Sequence, residues 1–223
     1  MRALEELLLE ELTRKLTAAG WTRAPGGQHI TVFVKKVSDE VVAQAAVDLS
    51  VTDYGIGINP SLAVQHPETS RLSRQFTGRP PTGGPGVGTI GCSLAYLLTQ
   101  NGYDDPTRTR WFASSADDLG RVTDLLCEDI GSYGSAFFQP LSTLSDIISR
   151  LQDKSRSQPQ TGFLAIASAL AGKRPEALVA LAEYAAEAET QLPPMSTQSW
   201  TFVRSFVQHF GIEESSLPYN IPS

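Results

Sequence analysis

The sequence predicts an α+β fold: an N-terminal helix on a mainly antiparallel sheet of about five strands, followed by a C-terminal helical layer. Three observations predict it. An amphipathic helix ends at Gly20-Trp21, a run of strands joined by short turns follows, and from Ser115 onward the apolar spacing is helical. Strands grouped ahead of helices, rather than alternating with them, mark a segregated α+β chain.

Residues 2 to 19 carry Leu4, Leu7, Leu8, Leu12 and Leu16 as one apolar stripe, and Gly20 is a natural stop. Trp21 then packs back on the sheet. Gly26-Gly27 marks a turn. His29 to Val37 alternates, with Ile30, Val32 and Val34 on one side. Ser38-Asp39 connects to a second strand over Val41 to Val51, and Thr52-Asp53 turns the chain into a third over Tyr54 to Val64. Connectors this short require antiparallel neighbours. Pro67 to Phe76 can form a short helix, and Thr77 to Pro85 is a proline- and glycine-rich loop. Val87 to Leu98 reads as a fourth strand, although Leu94 to Leu98 alone could be helical, and Arg108 to Ala113 as a fifth.

Ser115 is an N-cap candidate with Asp117 and Asp118 in the first turn, where the helix dipole favours anions. Leu119, Val122, Leu125, Leu126 and Ile130 make the apolar face of that helix. Ser142 or Thr143 caps the next, through Leu151. Gln152 to Gln160 is a polar linker. Beyond it lie an alanine-rich helical hairpin turning at Gly172, a helix over Trp200 to Phe210, and a tail. The expected organisation is an α+β domain over 1–151, a helical extension packed on it over 161–212, and a tail over 213–223.

A chain of 223 residues with 41% hydrophobic and 19% charged content suits a globular core in one large domain or two small ones. The net charge is −6, which disfavours nucleic acid and anionic membrane as partners and would steer toward a basic protein. Acids interrupt the apolar run after Met1, so no signal peptide is expected, and no stretch approaches the roughly 18 apolar residues of a membrane span. The expected location is the cytoplasm, with Cys92 and Cys127 as buried small hydrophobes rather than a disulfide.

Gly86, Gly88 and Gly91 match the G-x-G-x-x-G spacing of a pyrophosphate loop. That motif needs a strand before it and a helix after it, with an acid about 20 residues on; here a proline-glycine loop precedes it and a strand follows. His29, His66 and His209 form no metal-ligand spacing, Asp39-Glu40 and Asp104-Asp105 read as solvated turns, and Ser132 to Ser135 is no nucleophile elbow. No catalytic residue, metal site or cofactor is therefore expected. Interaction surface remains. Asp53, Tyr54, Tyr103, Asp104 and Asp105 combine carboxylates with aromatic rings at turns, which suits steering plus an anchoring contact.

Several short motifs occur in order: Gly20-Trp21 at a helix end, the glycine-rich run Tyr54-Gly55-Ile56-Gly57-Ile58-Asn59-Pro60, a Trp-bearing Arg110-Trp111-Phe112, and Tyr133-Gly134 followed by Phe137-Phe138. Over about residues 1–151 the chain resembles a bacterial family of uncharacterised domains found among immunity proteins of toxin–immunity loci. The long loop around Gly78 to Gly88 and the helices after 160 are additions to that pattern. The resemblance implies no catalytic residues. It implies a non-enzymatic, protein-binding module, an immunity-type inhibitor of a toxin. Two other readings stand beside it: a nucleotide- or small-molecule-dependent enzyme using the Gly83 to Gly91 loop, and a structural subunit of a larger bacterial assembly such as a defence complex.

Overall fold

A computed structural model describes residues 2–25, 30–79, 88–153, 156–217, 219 and 221. The Gly26-Gly27 turn, His29, Gly86 and residues 80–87 of the proline-glycine loop lie outside the described residues. The fold is α+β, with an N-terminal helix, a mainly antiparallel sheet of six strands and a C-terminal helical region.

Helix α1 (Arg2–Ala18) buries Leu8, Leu12 and Leu16, an i, i+4 row, while Leu7 lies beside that row and is largely exposed. Gly20 ends it at φ +84°, which suits glycine, and the Gly20 and Trp21 N–H groups donate to the Thr17 and Leu16 carbonyls. This cap turns Trp21 inward. Its ring lies edge-on to Phe138 at 6.0 Å.

The strands are β1 (Thr22–Arg23), β2 (Ile30–Lys36), β3 (Val42–Thr52), β4 (Gly55–Gln65), β5 (Ile90–Ser93) and β6 (Phe112–Ala113). Their order is β1-β2-β3-β4-β5, with β6 also paired to β4. In the β2–β3 ladder Phe33 stands opposite Ala45, a large side chain over a small one, and both are buried. The core face of β2 is thus the Phe33 face; Ile30, on the other, is largely exposed.

Two expected strands are shorter than the sequence implied. Among the described residues of the Val87 to Leu98 segment, Ile90–Ser93 is strand, and α3 (Leu94–Gln100) follows, with Leu94 and Leu98 buried at i, i+4. Of Arg108 to Ala113 only Phe112–Ala113 is strand, because Pro106 opens a short helix, α4 (Pro106–Thr109). Since β3 occupies one edge of β4, β5 and β6 share the other. Ile58 N–H donates to the Trp111 carbonyl on that edge, so Pro60, two residues on, turns its missing donor to the same side. That side is also where β6 has ended.

Gly55 starts β4 at φ +151°, and a Cβ there would sit 2.4 Å from the Ala113 carbonyl oxygen. Gly55→Ala is expected to cost about 1–3 kcal/mol, read as a lower urea midpoint.

Next come α5 (Leu119–Asp129), a π-helical turn over Ile130–Gly134, and α6 (Ser135–Phe138). Ser115 and Asp118 form a reciprocal capping box ahead of α5. Hydrogen bonds from the Ser114 hydroxyl and backbone, and from Arg121, hold the Asp118 carboxyl down at about 2. A depressed carboxyl stabilises the fold above the ordinary value of about 3.9, and the contribution is lost as pH falls through about 2. Asp118→Asn should therefore unfold more easily than the parent at neutral pH, the gap closing near pH 2; urea midpoints at both pH values check this.

The C-terminal helices are α7 (Leu144–Leu151), α8 (Gln158–Leu170), α9 (Arg174–Glu189) and α10 (Met195–His209), and α2 (Pro67–Phe76) is the early helix. Thr143 caps α7 with its hydroxyl and a reciprocal Asp146. His66, between β4 and α2, is the N-cap of α2: its Nδ1 accepts from the Thr69 N–H at 3.2 Å.

Compactness divides the chain elsewhere than at the polar linker. Among the described residues, one unit lies within 2–64 and 91–141 and the other within 65–79, 88–90 and 142–221, so α2 and α7 belong with the late helices. In the first unit α1 packs on α5, and Lys15 donates to the Gly120 carbonyl and the Thr123 hydroxyl. In the second, α8 and α9 pack closely through buried alanines such as Ala165, Ala177 and Ala180, and Phe76 is ringed by Phe202, Phe206 and Phe210.

Candidate functional site

The five residues singled out from sequence fall in two turns of the first unit. Asp53 and Tyr54 form the tip of the β3–β4 hairpin, where the Thr52 hydroxyl donates to the Gly55 carbonyl and accepts from the Tyr54 N–H. Tyr54 is 84% exposed and meets no other ring among the described residues. Tyr103, Asp104 and Asp105 lie between α3 and α4. Among the described residues no hydrogen bond, ion pair or ring contact joins the two turns.

The second turn is built by the device that ends α1. Gly102, at φ +88°, closes α3, and the Gly102 and Tyr103 N–H groups donate to the Thr99 and Leu98 carbonyls. A glycine followed by an aromatic residue thus fixes where the ring leaves the helix. Asp105 follows at φ +36°, a conformation that Asp and Asn adopt more readily than most residues, and its carbonyl accepts the Arg108 and Thr109 N–H groups.

Tyr103 does not stand alone. The Arg110 guanidinium lies 4.8 Å from its ring centre, and the Tyr133 ring meets it edge-on at 6.3 Å. A hydrogen bond with Tyr103 is the main reason the Tyr133 hydroxyl ionises less readily than usual. Arg110 is held from behind. Its Nε and Nη2 donate to Asp129 Oδ2 and Oδ1 at 3.0 and 2.8 Å, a bidentate pair. Trp111 Nε1 donates to the same Oδ2 at 2.9 Å. Asp129 is 2% exposed, and its hydrogen bond keeps the Arg110 guanidinium charged even more firmly than usual.

A buried carboxylate paired with arginine adds little net stability over apolar packing, but it fixes geometry. Here it positions Arg110, and Arg110 positions Tyr103. The π-helical turn follows Asp129 directly and carries Tyr133. Such turns are rare inside α-helices and frequent at functional sites. The arrangement is therefore a braced aromatic pair at the surface, flanked by the exposed carboxylates of Asp104 and Asp105.

Sequence reasoning missed Asp129 and Arg110. The signal was present: Val122, Leu126, Asp129 and Ile130 share one helical face, so an acid stands among buried apolar positions.

The last glycine of the motif has a structural role. Gly91 lies within β5, where a Cβ would come 3.0 Å from the Leu62 carbonyl oxygen; it serves close strand approach, not the start of a helix. Among the described residues no three of His, Cys, Asp and Glu are grouped to hold a metal ion, and no helix is long and apolar enough to cross a membrane. Cys92 and Cys127 are not joined in a disulfide and are half-buried rather than buried, and burial pushes the Cys127 thiol up to about 11. His209 ends α10, its ring 5.4 Å from that of Phe76. Comparison of the chain with family models, curated proteins and solved structures finds no match.

Proposed function

We propose that this chain is a non-enzymatic, cytoplasmic protein-binding module that engages its partner through the Tyr103–Tyr133 face. One observation carries the reading: a buried carboxylate, Asp129, braces Arg110 against a ring at the surface. A pre-positioned aromatic anchor loses little conformational entropy on binding, which is how rigid tyrosines gain affinity at interfaces. Asp104 and Asp105 beside it favour a partner with a basic surface and speed encounter at low salt. The narrower form of the proposal is an immunity-type inhibitor that covers a basic toxin surface; the net charge of −6 and the resemblance over residues 1–151 support it.

The experiment uses the intact chain as bait in its native cell extract at low and physiological salt. It is repeated with a variant carrying Tyr103→Ala, Asp104→Asn and Asp105→Asn. The expected result is a partner retained by the parent and bound at least about tenfold (1.4 kcal/mol) more weakly by the variant, with the same unfolding midpoint for both. Co-expression then asks whether the parent protects cells from that partner. A partner held equally by the folded variant moves the site elsewhere, and no stable partner at either salt removes the proposal.

A further inference from the structure

We propose that α2 is a proton-sensitive element: protonation of the His66 imidazole removes the acceptor that caps its first turn. The inference is independent of the Tyr103 face.

Helix caps are usually oxygen acceptors, from Ser, Thr, Asp or Asn. Here the acceptor is a ring nitrogen. His66 has extended backbone, at φ −88° and ψ 114°, and its Nδ1 accepts from the Thr69 N–H at 3.2 Å. The Thr69 hydroxyl lies 3.0 Å from the same nitrogen. Accepting requires a lone pair on Nδ1, so the capping ring is neutral and carries its proton on Nε2. A proton added to Nδ1 turns the acceptor into a donor. The ring can then meet the Thr69 hydroxyl oxygen, but the Thr69 N–H loses its partner. Thr69 is fully buried, so water does not replace that partner. The positive end of the helix dipole adds to the cost of an imidazolium there.

The surrounding charges do not cancel this effect. On α2 itself the ionisable residues are Glu68, Arg71 and Arg74. Glu68 attracts a cation on His66, but Arg71 holds both of its oxygens, at 2.7 and 2.6 Å, and that bond is the main reason its carboxyl is lowered. Of the helices packed on α2, α10 brings Arg204 and His209, and α8 carries no ionisable side chain. The strand that leads into the cap, β4, carries none either. The His66 N–H donates to a neutral group, the buried Thr89 hydroxyl, at 3.4 Å. Only the neutral ring caps the helix, so the cap is lost as pH falls through the protonation of the imidazole. Histidine ordinarily changes charge near pH ~6.5, so mild acid loosens α2 where the chain enters the second unit, at Gln65.

Hydrogen exchange of the intact chain, corrected for the intrinsic pH dependence of amide exchange, reads the cap directly. Between about pH 7.5 and about pH 5, protection of the Thr69 amide should fall about tenfold. The fall should share its midpoint with the titration of the His66 ring signal, while buried amides of α9 such as Leu181 keep their protection. His66→Asn supplies a cap that does not titrate and His66→Ala supplies none, so in both variants Thr69 protection should be the same at the two pH values. His209→Gln should leave the parent's pH dependence intact. A pH-independent parent, the same fall in the two His66 variants, or a fall shared equally by α9 would overturn the proposal. Loss of the pH dependence in His209→Gln would also overturn it, by moving the sensor to α10.

Discussion

Trp111→Ala is expected to lower the unfolding free energy by about 3–5 kcal/mol. The indole is fully buried, so truncation leaves a large cavity among side chains that can collapse only in part. It also withdraws the Nε1 donor from Asp129. The two contributions can be separated. Trp111→Phe keeps an aromatic ring in the core but lacks the donor, and should cost about 1–3 kcal/mol. Urea titration followed by circular dichroism gives both values. A midpoint unchanged by Trp111→Ala would refute this placement of the residue.

Asp129→Ala has an effect of the same size for a different reason. It strands the Arg110 guanidinium and the Trp111 N–H, both largely out of water, and removing one partner of a buried pair costs about 3–5 kcal/mol. The substitution also releases Arg110 from its place over Tyr103. Asp129→Asn, which keeps the shape and loses the charge, should therefore weaken partner binding in a chain that is still folded. Because Trp111 and Asp129 touch, the cost of replacing both should fall short of the sum.

Much of the architecture was legible because local chemistry and packing agree there. Leu8, Leu12 and Leu16 share one helical face, Gly20 can take the left-handed turn, and Ser115 and Thr143 stand where caps are needed. The illegible parts are those where neighbours decide. The segment from Leu94 is apolar enough for strand or helix, and only the burial of Leu94 and Leu98 on one face selects helix. Phe112 and Ala113 look like the end of a longer strand, but Pro106 commits the residues before them to a helical turn. His66 is a rare cap, and no pattern built on Ser, Thr, Asp and Asn would find it.

The candidate site was half legible. Tyr103 and its acids were marked by composition at a turn. What braces them was hidden, because Arg110 and Asp129 lie 19 positions apart and meet only in the folded chain. Tyr133 stands in the sequence beside Gly134 in a short motif, but its approach to Tyr103 depends on a helix whose winding changes after Asp129.

That change of winding has a consequence for chain length. A π-helical turn absorbs one residue more than an α-helix would, so the segments on either side keep their phase. Elsewhere in α5, deleting one residue would rotate everything beyond it by about 100° around the axis and carry Phe138 out of the core. Inside Ile130–Gly134, losing the exposed Ser132 would instead let the winding close into an unbroken α-helix, with Leu126 and Phe138 still facing inward. Only Tyr133 would change its heading. Insertions and deletions, usually confined to loops, thus have a permitted site within a helix, and there they would redirect one surface ring while leaving the core in place.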